Sequence, residues 1–241
     1  LEGSDDLQLT NNAAKKPVLF CWSGGKDSCM ALHQLRRDPL REVVALLTTV
    51  TEGYDRVSMH GVRRILLERQ AAALGLPLEI VTIPPQCVNA EYESRMEAML
   101  LTWKNRGVTE VAFGDIFLQD LREYREKNLA RAGMKTLFPV WLRPTRELAR
   151  EFISLGFRAV TVCVDPKILD ESFVGREFDD SFLGALPAEA DLCGENGEFH
   201  SFVYDGPGFS APVQFTIGEK VMRDGFYFCD LLPAENSALA V

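Results

Sequence analysis

The sequence is short of basic charge. Its 26 Lys and Arg are outnumbered by 35 Asp and Glu, for a formal net charge of −9. That balance disfavours a nucleic-acid partner, because binders of polyphosphate backbones display a basic face or tail. There is no C-x-x-C pair. The six cysteines (Cys21, Cys29, Cys87, Cys163, Cys193, Cys229) are scattered, which disfavours a zinc ribbon, an iron–sulfur centre or a disulfide scaffold. Several sit in apolar runs, where a reduced thiol behaves as a small hydrophobe, and a reducing cytoplasm is the expected location. No apolar run approaches the ~20 residues of a membrane helix, so no membrane partner is expected. Internal repeats, low-complexity tracts and a signal-peptide pattern are all missing. Polar residues 1–16 are expected to be a frayed tail or an expression remnant, and 233–241 a second tail.

What the chain does contain is alternation. Its 241 residues suffice for one large domain, or one medium and one small. Residues 18–22 form a continuous apolar run closed by Ser-Gly-Gly, as a strand buried on both faces would. A helix follows over 26–37, stopped by Asp38-Pro39. A second strand is expected at 43–50. Val62, Ile65, Leu66 and Ala73 then recur at helical spacing up to Gly75. A strand at 78–83, a long helix at 89–106 and a strand at 110–116 complete the pattern. Such alternation predicts an α/β fold, a parallel sheet with helices on both faces. Beyond Met134 the pattern changes. Strands are expected at 137–141 and 159–164, with a helix between them that Thr145 caps and Gly156 ends. An antiparallel pair is expected at 213–217 and 226–228. The expected division is 17–133 and 134–232, with a smaller α+β second part.

Residues Ser23, Gly24, Gly25, Lys26, Asp27 and Ser28 carry the clearest chemistry. Two glycines let backbone N–H groups approach an anion closely, and the helix start directs its positive end to the same point. Two hydroxyls and a lysine add donors and charge, and Asp27 suits the first helical turn or a metal-bound water. The loop is neither G-x-x-x-x-G-K-S/T nor G-x-G-x-x-G. It reads as a cradle for pyrophosphate.

Three further clusters follow predicted strands or lie in the Gly-rich C-terminal part. In the first, His60 either contacts a nucleotide or its departing pyrophosphate, or helps Ser58 cap the next helix. In the second, Gly114 and Asp115 precede Asp120, Arg122, Tyr124 and Arg125. On a helix Asp120 stands four residues from Tyr124, and Arg122 four from Glu126. They are either solvated pairs or a binding edge behind a strand end. The third runs from Cys193 through Gly194, Glu195, Asn196, Gly197, Glu198 and Phe199 to His200. Its carboxylates either hold Mg²⁺, bind an amine or ammonium, or act as a general base. Cys193 has no evident base and reads as a structural thiol. Metal ligands are not assigned, and the oligomeric state stays open, a homodimer included.

The string S-G-G-K-D-S resembles the PP-loop of the N-type ATP pyrophosphatases. With G-D-I…D-L-R-E-Y-R-E, C-G-E-N-G-E-F-H-S-F and D-G-P-x-F (Asp205 to Phe209), the chain resembles the diphthine–ammonia ligase family from Val18 to about Leu232. The resemblance implies a Rossmann-like nucleotide domain of the adenine nucleotide alpha hydrolase type, followed by a substrate domain. It implies ATP and Mg²⁺ as cofactors and a carboxylate and ammonia as substrates. The implied reaction is adenylation of the carboxylate of diphthine on elongation factor 2, then displacement of AMP by ammonia. The phosphate-loop residues, His60, Gly114 and Asp115 are then expected at the nucleotide. Lys26, Asp27, Glu195, Glu198 and His200 are expected in catalysis. Asp120, Arg122, Tyr124, Arg125 and residues 194–198 with His200 are expected at the acceptor. Asn196 and His200 stand where archaeal and eukaryotic members carry Gly and Glu. The variant resembles a bacterial branch, and bacteria make no diphthamide. The resemblance thus leaves open a small-molecule acceptor, such as a cobamide-salvage intermediate. A tRNA-modifying enzyme and a nucleotide sensor without turnover are the competing readings.

Overall fold

The structure is a computed structural model that describes residues 14–57 and 61–234. His60, a candidate nucleotide contact, lies outside the described residues, as does Ser58. The first apolar run becomes β1 (Lys16–Cys21), followed by β2 (Arg41–Thr51) and the two-residue β3 (Arg56–Val57). Then come β4 (Leu78–Ile83), β5 (Glu110–Ala112) and β6 (Lys135–Leu137). All pair in parallel except β3, which turns back antiparallel on the end of β2. β1 is flanked by β2 on one side and β5 on the other, β4 lies beyond β2, and β6 lies beyond β5. The strand order therefore reverses between β1 and β5. Crossovers leave that point toward opposite faces, which opens a crevice at the carboxyl ends of these two strands.

Alternate side chains explain why β1 reads as unbroken apolar sequence. Val18 and Phe20 enter one core and Leu19 the other, and all three are fully buried. α1 (Lys26–Arg36) and α2 (Arg64–Ala73) cover the first face, while α3 (Asn89–Asn105) and α4 (Gln119–Arg131) cover the second. Gly75 and Gly107 follow α2 and α3 with φ of 68° and 90°, the left-handed conformation that ends a helix most easily without a Cβ.

α5 (Thr145–Ser154) leads into β7 (Arg158–Val164), α6 (Asp180–Ala185), β8 (Phe199–Asp205), β9 (Phe215–Arg223) and β10 (Phe226–Pro233). These four strands form an antiparallel sheet in the order β8-β7-β10-β9. Asp224 and Gly225 join the last two with positive φ at both positions, as a tight hairpin requires. Phe152, Phe178, Phe182, Phe199 and Phe202 fill the core of this part, continuous with the core beneath α1 and α2.

Several expectations change. The strand expected at 110–116 ends at Ala112, because the following residues turn to meet α1. The strand expected at 137–141 is the three-residue β6, paired with β5, so the first sheet extends past Gly133 to Leu137. Thr145 is the first residue of α5, with Pro144 at the cap and no side-chain cap bond. Residues 199–202, where no strand was expected, belong to β8, which pairs with β7. Among the described residues no helix is long and apolar enough to cross a membrane.

Candidate active site

Past Cys21 the chain turns into α1 at the point where the strand order reverses. Gly24 takes φ 78°, and a Cβ there would stand 2.9 Å from Gln70 Oε1. Ser23 Oγ accepts from Gly25 N at 3.2 Å and lies 3.0 Å from Ser28 Oγ, which donates to Gly25 O at 2.8 Å. The hydroxyls thus hold the loop's own shape. Gly25, at the cap, makes no side-chain cap bond. The amides of Asp27 and Ser28 have no acceptor within the helix, and the helix dipole adds positive potential there.

Lys26 is almost fully buried, against the usual rule for lysine. Its Nζ donates to Asp27 Oδ2 at 2.9 Å and to the carbonyl of Cys193, and stands 4.8 Å from the centre of the Phe199 ring. Burial works against its charge, but Asp27, together with Cys193 and Glu195, more than offsets this and raises the pKa. Its backbone N–H donates to Ser201 Oγ at 3.2 Å. The Ser23–Ser28 loop is therefore built jointly with β8.

Gln70 completes that joint construction. This fully buried amide accepts from Trp22 Nε1 at 2.7 Å and donates to Gly24 O at 2.9 Å and Val203 O at 2.5 Å. Val203 N donates to Gly24 O at 2.9 Å. The sequence reading passed over Gln70 and Ser201. The available signals were a lone amide in the apolar stripe of α2 and a hydroxyl inside the third motif.

The turn after β5 forms the adjacent wall. A Cβ on Gly114 would lie 2.8 Å from Ser28 N, so only glycine lets the two backbones approach this closely. Asp115 pairs with Arg125, Oδ2 to Nε at 2.6 Å, and that guanidinium stands 4.3 Å from the centre of the Phe113 ring. Arg125 lines the cavity described below, together with Leu118 and Leu121 from the same side of α4. Asp120, Arg122 and Tyr124 do not. Asp120 is exposed; Arg122 pairs with Glu126 at 2.7 Å and stands over Trp141; Tyr124 donates to Asn89 at 3.1 Å. The helical repeat turns these three away.

The third motif is a folded loop closing the site from the opposite side. Asp191 Oδ1 accepts from the amides of Cys193 and Glu195 at 2.9 and 3.2 Å. Glu198 is buried and accepts from Asp191 N, Asn196 N and Asn196 Nδ2 within 3.0 Å, so it braces the loop and does not line the cavity. Cys193 is buried with its thiol donating to Thr145 O at 3.4 Å, and burial pushes its pKa up. That is a structural thiol. Gly194, Glu195, Asn196, Gly197 and His200 do line the cavity. Burial, and secondarily the charge of Lys26, lower the pKa of His200 to about 4, which leaves the imidazole neutral at pH 7.

Glu195 reaches across to the first sheet. Its Oε1 accepts from Ile116 N at 2.7 Å and Phe117 N at 3.3 Å. Burial raises its pKa to about 7; those amides pull it down, and the charges of Asp27 and Asp115 push it further up. Between its ordinary value of 4.5 and about 7 the folded protein holds a proton that the unfolded chain has lost. Stability from this group therefore falls as pH rises through that window. Glu195→Gln keeps the accepting oxygen and removes the titration. Relative to the parent, the variant should gain roughly 2 kcal/mol between pH 5 and pH 8, read from paired urea unfolding curves. A constant difference across that range would contradict the assignment.

These walls enclose a cavity of about 510 Å³, within the range of small-ligand sites. Ser23, Gly25–Ser28 and Gly114–Asp115 lie on one side, Gly194–Gly197 and β8 on the other, with Leu47, Thr48 and Thr49 of β2 behind; Gly24, expected at the nucleotide, does not line the cavity and packs toward Gln70. Its charged lining is Lys26 and Arg125 against Asp27, Asp115 and Glu195. An anionic nucleotide in such a place calls for a cation. Asp27 Oδ1 is buried and has no hydrogen-bond partner. Among the described residues no cluster of three His, Cys, Asp or Glu could hold a metal. The unpartnered Asp27 oxygen is the kind of single carboxylate through which Mg²⁺ binds beside substrate phosphates.

Fold and site together define a Rossmann-like α/β protein with a glycine-rich anion loop at its topological switch point. The family model described as Diphthamide synthase N-terminal domain matches residues 16–136, and the one described as Diphthamide synthase C-terminal domain matches 144–232. The chain belongs to the diphthamide synthase family. Among curated proteins it is similar to the diphthine–ammonia ligase of Mus musculus, 28% identical over 231 residues, covering 86% of this chain and 85% of that one. The Homo sapiens enzyme of the same name is 27% identical over 229 residues, with 86% and 85% covered. The Danio rerio one is 27% identical over 226 residues, with 83% and 87% covered.

Proposed function

We propose that this protein is an ATP-dependent amide ligase that releases AMP and pyrophosphate and joins a carboxylate to ammonia. The observation that carries this reading is the placement of the phosphate loop and the Glu195–His200 segment on opposite sides of one cavity. Ser23, Gly25, Ser28 and the amides starting α1 hold the phosphates, with Gly24 shaping the turn and Lys26 charged alongside. Gly114 and Asp115 border the nucleotide. Asp27 would hold Mg²⁺, which supplies charge neutralisation at the departing pyrophosphate. A carboxylate oxygen attacks the α-phosphorus, the bond to the β-phosphate bridge breaks, and pyrophosphate leaves. Asn196, Glu195 and neutral His200 orient the acceptor so that ammonia meets the acyl carbon at close range. The part through β6 at Leu137 serves the nucleotide and the part from there to residue 232 the acceptor.

The relatives' name makes diphthine the first acceptor to try. His200, neutral where family members elsewhere carry an acid, favours testing small carboxylates beside it. Incubation with ATP, ammonium and each acceptor should yield AMP, pyrophosphate and the amide, identified by mass. ADP and phosphate as the products would overturn the reading. The net charge of −9 disfavours a tRNA acceptor.

A further inference from the structure

A second cavity, of about 80 Å³, lies between α3 and α4. Its floor is Leu100, Leu129 and Phe113, all buried, and its rim includes the exposed Glu97 and Arg131. It shares Cys21, Tyr92, Met96, Phe113 and Arg125 with the main cavity, so one layer of side chains divides the two. Arg125 forms part of that layer and is held by Asp115 on the main-cavity side. The chamber is open to solvent at its rim and has room for molecules as small as water or ammonia. Nothing in the adenylation step uses it.

We propose that this chamber is the entry route for ammonia, leading between Tyr92, Met96 and Phe113 into the main cavity. The inference rests on the amide-ligase reading. An acyl-adenylate is open to water as well as ammonia, so a nitrogen source delivered behind the nucleotide, through apolar walls, competes better with hydrolysis. The chemistry of the lining selects the reactive form. Ammonium meets carboxylates at the rim, Glu97 and the Arg131-paired Glu93. There it gives up its proton to solvent, because an unpaired cation cannot enter the apolar floor cheaply. Neutral ammonia passes inward and its lone pair forms the C–N bond. The C–O bond to AMP breaks with its electron pair going to AMP, and the nitrogen releases one proton.

The test fills the chamber from two sides, with Leu129→Phe at the floor and Asn128→Trp at the rim. Purified full-length variants are assayed for acceptor-dependent pyrophosphate release and for amide formation against ammonium concentration. The ammonium needed for half-maximal amide formation should rise at least about tenfold. The KM for ATP and the pyrophosphate burst should stay as in the parent, with free acid and AMP replacing amide. Unchanged ammonium dependence in a variant that melts like the parent would overturn the route, as would a KM for ATP rising in step with that for ammonium. Should both variants misfold, crystals of the parent under xenon decide: density in the chamber is expected, and its absence overturns the proposal. If the parent releases no pyrophosphate with any carboxylate, the reading of the main site fails, and the chamber has no nitrogen to conduct. That outcome differs from a parent that releases pyrophosphate but ignores the plug.

Discussion

Lys26→Met should unfold at markedly lower urea than the parent, by about 3–5 kcal/mol at pH 8. Methionine fills much of the space between the rings of Phe199 and Phe178, so little of the loss comes from packing. The cost is electrostatic. Asp27 and the Cys193 carbonyl both take their hydrogen bond from Nζ, and without it a buried carboxylate is left uncompensated. Burial already holds the pKa of Asp27 above the ordinary carboxylate value, and removing Lys26 raises it further. Protonation then relieves the penalty in acid, so the loss should be smaller at pH 5 than at pH 8. Unfolding midpoints at the two pH values check this, and a loss that grows in acid would contradict it. Pyrophosphate-releasing turnover should fall by at least about a hundredfold, since a preorganised cation at a phosphate site carries much of the stabilisation.

Gly114→Ala should be nearly as damaging although it adds one methyl. That carbon would stand 2.8 Å from Ser28 N, 2.9 Å from Ser28 Cα and 3.0 Å from Asp27 C, all backbone atoms that no rotamer change can move. The start of α1 must shift, at a cost of about 1–3 kcal/mol. The same shift displaces the amides meant for phosphate, so affinity for a non-hydrolysable ATP analogue should fall at least about tenfold. Calorimetric titration measures it. Gly184→Ala is the matched control. That helical position has nothing within 4 Å of the added carbon, and the variant should bind as the parent and melt slightly higher. Equal behaviour of the two variants would show that the approach of the β5 turn to α1 is unimportant.

Local patterns made the first sheet legible. β4 falls where its apolar run puts it, and Gly75 marks the end of α2 as its place after the helical spacing implies. The short strands were harder. β5 and β6 have three residues each, too few for a period to register. β8 was hidden because Phe199–Asp205 follows a Gly-rich loop with no turn signal between them. In the candidate site, Glu195 and Glu198 look equivalent in sequence. Yet one lines the cavity and the other is taken up by three N–H donors of its own loop.

By itself the sequence determined the strand–helix alternation, the anion loop between β1 and α1, and the residue types gathered in the third motif. Each of these is a local property: hydrophobic period, backbone freedom of glycine, and side-chain chemistry. Tertiary structure alone decided which residues meet. Lys26 reaches the Cys193 carbonyl, Gln70 ties Gly24 to Val203, and Glu195 crosses to Ile116, all between residues far apart in the chain. The physical reason is that such pairings follow from the packing of β8 and the loop before it against α1, α2 and the β5 turn, and a one-dimensional pattern carries no record of that packing.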